Sequence, residues 1–209
     1  MKICYRDLQN AASEILRHVG ENEENAQIAS EIMVVNDLRG VSTHGTNLLR
    51  MIAKRCEAKM LSLPSRVTVV SDNMATLILD GGDGLGQVAG YKAMNAAIEK
   101  ARLYGLGMAL IRNTNNVGSL GYYVHKTAMQ DMAAIMMTNG NPSMCEQHQI
   151  NTMQRFIWRL CISLLRRAYR FYSSVATLTS YYFKFFCSSG MPNIECSSRQ
   201  NLPKRLVHW

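Results

Sequence analysis

The side chain of this sequence best suited to proton transfer is a histidine in a glycine-containing segment. His44 lies between Thr43 and Gly45, where glycines, hydroxyl side chains and a lack of periodicity predict a loop between helices. An imidazole titrates near neutral pH and can pass a proton to or from a reacting oxygen. Taken alone, His44 predicts either a catalytic acid–base or a hydrogen-bonded capping group.

A second segment, residues 113–123, combines side-chain amides with a helix start. Three asparagines precede Gly118 and Ser119, between a predicted strand and a predicted helix. The amides and the N–H groups of a helix start are suited to hold a carboxylate or a cofactor phosphate. An Asn-rich turn that caps the helix explains the same residues equally well.

A third segment is rich in glycine and follows a predicted strand, as a dinucleotide-binding fingerprint does. Its glycines are Gly84, Gly86 and Gly90, so the third comes one residue later than in the fingerprint. Arg112, and not an acidic residue, ends the next predicted strand, which suits at most a 2′-phosphate. We therefore favour a structural turn whose glycines permit close chain approach and positive φ.

The elements that position these segments change type near Pro64. Before it, apolar residues at helical spacing predict three helices, with Asn22 capping the second and Gly20 ending the first. After it, short β-rich runs alternate with helices, which is typical of an α/β fold. Strands are predicted at 67–70, 75–79, 108–111 and 133–137, and helices at 88–101 and 122–132.

Composition divides the chain at Met144. Up to that residue there are 14 Lys and Arg against 13 Asp and Glu, a net charge of +1; after it there are 9 against 2, a net charge of +7. All five Phe and both Trp lie after Met144, whereas 13 of the 14 Gly lie before it. We therefore predict an N-terminal helical segment (1–64), an incomplete α/β cofactor and substrate domain (65–144) and a basic, aromatic-rich tail of uncertain fold (145–209).

The tail allows two interpretations. The simultaneous break in charge and residue usage predicts an out-of-frame translation product that folds poorly. The competing interpretation is a basic module, because Arg155, Arg159, Arg166 and Arg170 lie near one face of a possible helix whose other face is apolar. Such a helix suits an anionic membrane or RNA.

The cysteines and the N-terminus indicate the cellular setting. Six cysteines show neither a CxxC pair nor metal-ligand spacing, so we expect free thiols and no metal site. The N-terminus lacks the apolar region of a secretory signal, and no uncharged apolar stretch reaches the roughly 18 residues that span a bilayer. We expect a cytoplasmic protein.

In order and spacing, residues 37–46, 79–87 and 115–123 resemble the malate/L-lactate dehydrogenase family, which includes ureidoglycolate, dehydrogulonate and sulfolactate dehydrogenases. The resemblance covers about the first 144 residues. It implies a non-Rossmann NAD(P)-binding α/β fold and an NAD(P)-dependent oxidoreductase that interconverts a 2-hydroxy acid and a 2-oxo acid. It also implies a homodimer, with neither nucleic acid nor membrane as a partner.

The resemblance implies roles for individual residues. His44 matches the histidine of the family's Ser/Thr-His-Gly motif, the expected proton donor to the substrate carbonyl. The remaining expected site residues are Ser42, Arg50 and Asn116 for substrate and Gly118, Asn139 and Asn141 for NAD or NADP.

The sequence also departs from the family pattern. Many members have a histidine at the position of Asn116 and an arginine at that of Leu48, and Arg50 lies about 200° further round a helix. The Pro- and Gly-rich cofactor loop and the Gly-Thr-Asn-Pro motif do not follow Met144. We therefore expect a truncated enzyme with weak or no activity. The alternatives are a non-catalytic fragment that docks on a full-length homologue, and a membrane- or RNA-binding protein acting through its basic tail.

Overall fold

The computed structural model describes residues 3–140, 157–163 and 183–188. Its helices are α1 (Tyr5–His18), α2 (Glu23–Leu38), α3 (Leu48–Glu57), α4 (Gly86–Tyr104) and α5 (Leu120–Ala128), with one turn of 3-10 helix at Ser42–His44. Its strands are β1 (Thr68–Asn73), β2 (Thr76–Asp80), β3 (Leu106–Arg112), β4 (Ala133–Gly140), β5 (Ile157–Ser163) and β6 (Phe183–Ser188).

The N-terminal helices begin and end where the sequence predicts. Gly20, with a φ of 109°, lies just beyond the end of α1. The Asn22 side chain caps α2 by accepting a hydrogen bond of 2.9 Å from the backbone N–H of Asn25. Glu23 and Glu24 occupy the first turn of α2, where negative charge is favourable. The predicted helical segment is thus confirmed.

The strands form one mixed sheet in the order β1-β2-β3-β6-β4-β5. β2 and β3 are parallel and are connected by α4, whereas β6 is antiparallel to both β3 and β4. β2, β3 and β4 therefore run in the same direction. Their carboxyl ends meet at one edge of the sheet, the edge at which open α/β sheets bind ligands. The predicted α/β fold is confirmed.

Two strands come from the tail that composition sets apart. β5 pairs with β4 from Ala134↔Ser163 to Gly140↔Ile157, and β6 lies between β3 and β4. The alternative of an amphipathic helix is therefore wrong over 157–163, including Arg159, because this β-branched and aromatic run pairs with the open edge of β4. Residues 155, 166 and 170 lie outside the described residues. The out-of-frame origin of the tail stays a prediction.

Two apolar clusters form the core of the described residues. The larger packs α4, α5 and Ile32 of α2 against the sheet, and the smaller packs α1, α2 and α3 around Leu85 and Val88. α4 can lie close to β3 because Gly107 of the strand has no side chain: a Cβ there would lie 1.9 Å from the carbonyl oxygen of Ala97 in α4. α4 thereby joins the helical segment to the sheet.

A buried carboxylate holds the α1–α2 corner to the chain that leads into α4. Glu21 is only 5% exposed, and it accepts hydrogen bonds from the backbone N–H of Asn22, the side-chain amide of Asn25, and both the N–H and the hydroxyl of Ser65. The Ser65 oxygen in turn accepts from the Leu85 N–H at 2.8 Å. Burial of the Glu21 charge is thus offset by four donors.

The side chains of two of the six cysteines are described. Cys4 and Cys56 are free thiols, and no cluster of His, Cys, Asp and Glu among the described residues suits a metal ion. None of the described helices combines the length and apolar character that crossing a bilayer requires.

We predict that Lys59→Gly stabilises the fold. Lys59 follows α3 with a φ of 53°, a left-handed conformation that costs a residue with a Cβ about 1–2 kcal/mol. Glycine removes that strain but adds entropy to the unfolded chain, so we expect a gain of about 0.5–1 kcal/mol in the free energy of unfolding, measured by urea titration. Lys54→Gly, within α3, is the matched control and should lose about 1 kcal/mol. Equal losses in both variants would contradict the strain at Lys59.

Candidate active site

His44 lies at the end of the 3-10 turn that connects α2 to α3. Its side chain is partly exposed, and its Nδ1 is hydrogen-bonded to the hydroxyl of Thr43 at 2.9 Å. When the hydroxyl donates this bond, the neutral ring carries its proton on Nε2. His44 is therefore on a solvent-accessible loop, with one ring nitrogen engaged by its neighbour.

The last turn of α2 is hydrogen-bonded to this loop. The Asn36 amide donates to the carbonyl oxygen of His44 at 3.1 Å, and one oxygen of Asp37 accepts from both the N–H and the hydroxyl of Thr46, at 2.8 and 2.7 Å. A Cβ on Gly45 would lie 1.8 Å from the other Asp37 oxygen. Only glycine therefore fits between the two hydrogen-bonded positions.

The Asn-rich segment forms the loop between β3 and α5. Asn116 accepts a hydrogen bond of 2.7 Å from the N–H of Gly118, and Gly118 has a φ of 77°. A Cβ on Gly118 would lie 3.8 Å from the Asn36 amide nitrogen. The same asparagine of α2 thus hydrogen-bonds the loop that carries His44 and lies close to Gly118 in the loop that carries Asn116.

The glycines of the glycine-rich segment allow neighbouring parts of the chain to pack closely against its backbone. A Cβ on Gly86 would lie 2.2 Å from the carbonyl oxygen of Asn115, and one on Gly84 would lie 2.7 Å from the Cβ of Ser65. Asn115 also donates to the carbonyl oxygens of Asp83 and Gly84 and accepts from Arg55 at 3.2 Å. The space beside Gly84 and Gly86 is filled by protein, so these glycines do not fit the pyrophosphate of a dinucleotide. The structure confirms the structural interpretation of this turn.

A carboxylate ties the ends of β2 and β3 together. Asp80 accepts from the N–H of Gly82, from Arg112 and from the Asn113 amide, each at 2.9 Å. The hydrogen bond from Gly82, together with those from the two side chains, lowers the pKa of Asp80 below its usual value. Arg112 is engaged in this ion pair, which weakens its interpretation as a 2′-phosphate ligand.

The expected site residues divide into two groups. The first group is linked through Asn36, near the carboxyl end of α2: it donates to the backbone of His44, whose 3-10 turn begins at Ser42, and it lies close to Gly118, whose N–H donates to Asn116. The others lie on neighbouring elements: Arg50 is exposed on α3, and Asn139 is exposed near the carboxyl end of β4, the edge from which the 113–118 loop also leaves β3. Asn141 lies outside the described residues.

Sequence patterns missed three residues that organise this region. Asp37 stands in the motif that carries the family resemblance but received no role, whereas Asn36 and Arg55 carry no signal at all. Asn36 lies on the buried side of α2, where apolar periodicity predicts only core packing, and it is fully buried. The close contact of Gly45 with Asp37 is a signal that only coordinates reveal.

The chain is similar in sequence to known dehydrogenases. The family model of malate/L-lactate dehydrogenase matches residues 3–150. The malate dehydrogenase of Pyrococcus abyssi is 38% identical over 128 residues, which are 61% of this chain and 35% of that protein. The L-sulfolactate dehydrogenase of Methanocaldococcus jannaschii is 36% identical over 131 residues, 63% of this chain and 38% of that protein. The chain thus spans little more than a third of the length of these curated relatives.

Solved structures share the fold. The sulfolactate dehydrogenase of Methanocaldococcus jannaschii superposes with a TM-score of 0.74 at 30% identity, over 85% of this chain and 51% of that one. The malate dehydrogenase of Pyrococcus horikoshii superposes with a TM-score of 0.73 at 29% identity, over 81% and 48%.

We predict that Gly86→Ala destabilises the fold, because the added methyl group meets the rigid backbone of Asn115. Overpacking of this kind costs about 1–3 kcal/mol, which should appear as a lower thermal midpoint in calorimetry. Gly121→Ala is the matched control: it lies in α5, where the added Cβ meets only the Ser119 hydroxyl at 3.5 Å, and alanine favours the helix. A tolerated Gly86→Ala would contradict the packing role of this glycine.

We also predict an acid-dependent contribution from Asp80. Because its pKa is lower in the folded state, its contribution to stability is present above the unfolded pKa of about 3.9 and is lost as pH falls through the folded value. Asp80→Asn should therefore be less stable than the parent chain at pH 7 and should change less below about pH 4. Parallel curves of unfolding free energy against pH for the two proteins would refute this assignment.

Proposed function

The chain belongs to the malate/L-lactate dehydrogenase family, and from that premise we propose that it takes part in the reversible oxidation of a 2-hydroxy acid to a 2-oxo acid with NAD or NADP. One observation carries the proposal: Asn36 hydrogen-bonds the backbone of His44 and lies close to Gly118, so the loop of the expected proton donor and the expected binding loop are neighbours.

His44 is the acid–base of the proposed reaction. Reduction of a 2-oxo acid adds a hydride to the carbonyl carbon, and the negative charge that develops on the oxygen requires a proton. His44 supplies that proton and takes it back when the hydroxy acid is oxidised. The partly exposed ring and the contact of its Nδ1 with the Thr43 hydroxyl support this role, because a hydroxyl that donates to Nδ1 favours the tautomer with its proton on Nε2.

Three residues are proposed to hold the substrate. The oxygen of the Asn116 side chain accepts from Gly118, so its amide group is the part oriented to donate to a substrate oxygen. Ser42 lies in the same 3-10 turn as His44 and brings a hydroxyl to the loop. Arg50, exposed in the first turns of α3, provides the positive charge that suits a substrate carboxylate.

The proposed cofactor residues are Gly118, Asn139 and Asn141. When bound, a nicotinamide supplies or accepts the hydride at the substrate carbon. Gly118 leads into α5, whose cap residue Ser119 makes no side-chain capping hydrogen bond, so its first N–H groups suit a phosphate oxygen. Asn139 brings an exposed amide to the carboxyl end of β4. These donors fit a dinucleotide better than the filled glycine turn does.

We also propose a homodimer, as the family resemblance implies, and a cytoplasmic location. The expectation that this chain by itself is weakly active or inactive stays a prediction, which the assay below measures directly. A docking fragment and a basic membrane- or RNA-binding module gain no support from the fold or from the comparisons, so we propose no second function.

We predict that His44→Ala lowers the turnover of NADH or NADPH with 2-oxo acids by about 10²–10⁴-fold, the usual contribution of a general acid. The oxidation of the nicotinamide is followed by its absorbance, with pyruvate, oxaloacetate and sulfopyruvate as candidate substrates. Binding of the substrate should change little, because the lost interaction forms mainly in the transition state.

His18→Ala is the matched control, since His18 is an exposed histidine on α1, near the opposite end of an α2 that is about 24 Å long. It should leave turnover unchanged. Equal turnover by the parent chain and His44→Ala would rule out the proposed role of His44.

A further inference from the structure

We infer that Asn36 and Asp37, consecutive residues in the last turn of α2, are positioning residues that set the orientation of the His44 imidazole. The inference rests on the proposed role of His44 as acid–base. Each acts through the backbone on one side of the histidine: Asn36 through the carbonyl oxygen of His44, and Asp37 through the N–H of Thr46.

Asp37 holds the chain that follows His44. One carboxylate oxygen accepts both hydrogen bonds of Thr46, and the other lies against the Cα of Gly45. A carboxylate that accepts two donors from one residue restricts both the backbone and the side chain of that residue. Because Gly45 directly follows His44, the direction in which the histidine leaves the backbone depends on this contact.

Asn36 holds His44 itself. Its side-chain NH₂ donates to the His44 carbonyl oxygen, and its backbone carbonyl oxygen accepts from the N–H of Val41 at 2.9 Å. Asn36 therefore binds the loop at both Val41 and His44. The residue is fully buried, and within the described part of the chain its Oδ1 has no hydrogen-bond partner. An unpaired buried oxygen opposes folding. Packing alone therefore does not explain an asparagine at this position. Its contribution is the hydrogen bond that its amide donates to the His44 carbonyl oxygen.

The two contacts act on a short loop that adds little to the apolar core. Residues 39–47 contribute no apolar side chain to the buried core. Their backbone hydrogen bonds run within the loop, to the last turn of α2 or into α3, and Asn47 adds a 3.3 Å hydrogen bond to the Ser42 carbonyl oxygen. The orientation of His44 thus depends mainly on α2. A shift of about 1 Å in a reacting group can cost about 10²-fold in rate, so a loop held from one side needs both attachments.

The test uses the full chain and two pairs of variants. Asp37→Ala removes the carboxylate, and Asp37→Asn keeps an oxygen that can accept from Thr46. Thr46→Val removes only the hydroxyl bond, and Thr46→Ser restores it. Asp72→Ala is the control, since that exposed carboxylate pairs with Lys100 near the amino end of β2, at the edge of the sheet opposite to the 113–118 loop.

Each protein is measured in three ways: steady-state kcat and KM with NADH or NADPH and 2-oxo acids, the thermal midpoint, and the rate at which diethyl pyrocarbonate modifies His44. Modification is followed by mass spectrometry with His18 as the internal reference. We expect Asp37→Ala and Thr46→Val to lower kcat by about 10- to 100-fold with KM within about twofold, and to raise the His44-to-His18 modification ratio. Asp37→Asn and Thr46→Ser should recover most of both.

The outcomes separate this inference from the proposed function. Parental kcat and an unchanged modification ratio in Thr46→Val and Asp37→Ala would overturn it. A lower thermal midpoint with His18 and His44 modified equally faster would also overturn it, because that is a purely structural role. If Asp37→Ala does not fold, the Thr46→Val and Thr46→Ser pair decides. If the parent chain turns over no 2-oxo acid, the proposed function fails, and the modification ratio still decides the positioning role.

Discussion

The contact between the start of α4 and the backbone of the 113–118 loop is the constraint on which the rest of the described structure depends. Gly86 has no side chain, so the carbonyl oxygen of Asn115 occupies the space that a Cβ would need. This contact fixes where the loop leaves the sheet, and hence where Gly118 lies relative to α2. A single methyl group at Gly86 would push apart the helix that forms the core and the loop that forms the candidate site.

α2 links these parts because it is attached along its whole length. Ile32 packs in the larger apolar cluster, and Glu31 binds α5 through the Tyr122 hydroxyl at 3.0 Å and Lys126 at 2.7 Å. Burial and the Glu31 carboxylate raise the pKa of Tyr122, so its hydroxyl stays protonated and donates. The last turn of the helix then supports the His44 loop. A rigid element that reaches from the core to the site is what precise placement of a proton donor needs.

Much of the fold could be predicted from the sequence because local patterns determine it. Helical periodicity and the Asn22 cap identify α2, and alternation of strands and helices identifies the sheet. The predicted end of α5 was four residues too late, since the chain turns after Ala128 through Asp131, whose φ is 57°. The helix considered for the basic tail is wrong over 157–163, where the chain pairs with β4 as a strand. Such pairing is a long-range contact, and the periodicity of a local segment carries no information about it.

The sequence predicts the chemically reactive residues of the candidate site, but it does not predict the residues that hold their loops in place. His44 and Asn116 could be selected because their side chains do chemistry and because the motifs resemble a known family. Asn36 could not, because a buried polar residue is informative only when its neighbours are known. The close approach of Gly45 to Asp37 likewise joins residues whose relation depends on the path of the loop.

The hydrogen bonds of buried Glu21 limit the substitutions that can accumulate at this position. Every group that meets its two oxygens is a donor, and the donors come from the start of α2 and from Ser65, far along the chain. Glutamine has nearly the same shape, but it would turn an NH₂ group toward other N–H or O–H groups and leave donors facing donors. At this corner Glu and Gln are therefore not interchangeable, and drift at position 21 is restricted by hydrogen-bond polarity and not by size.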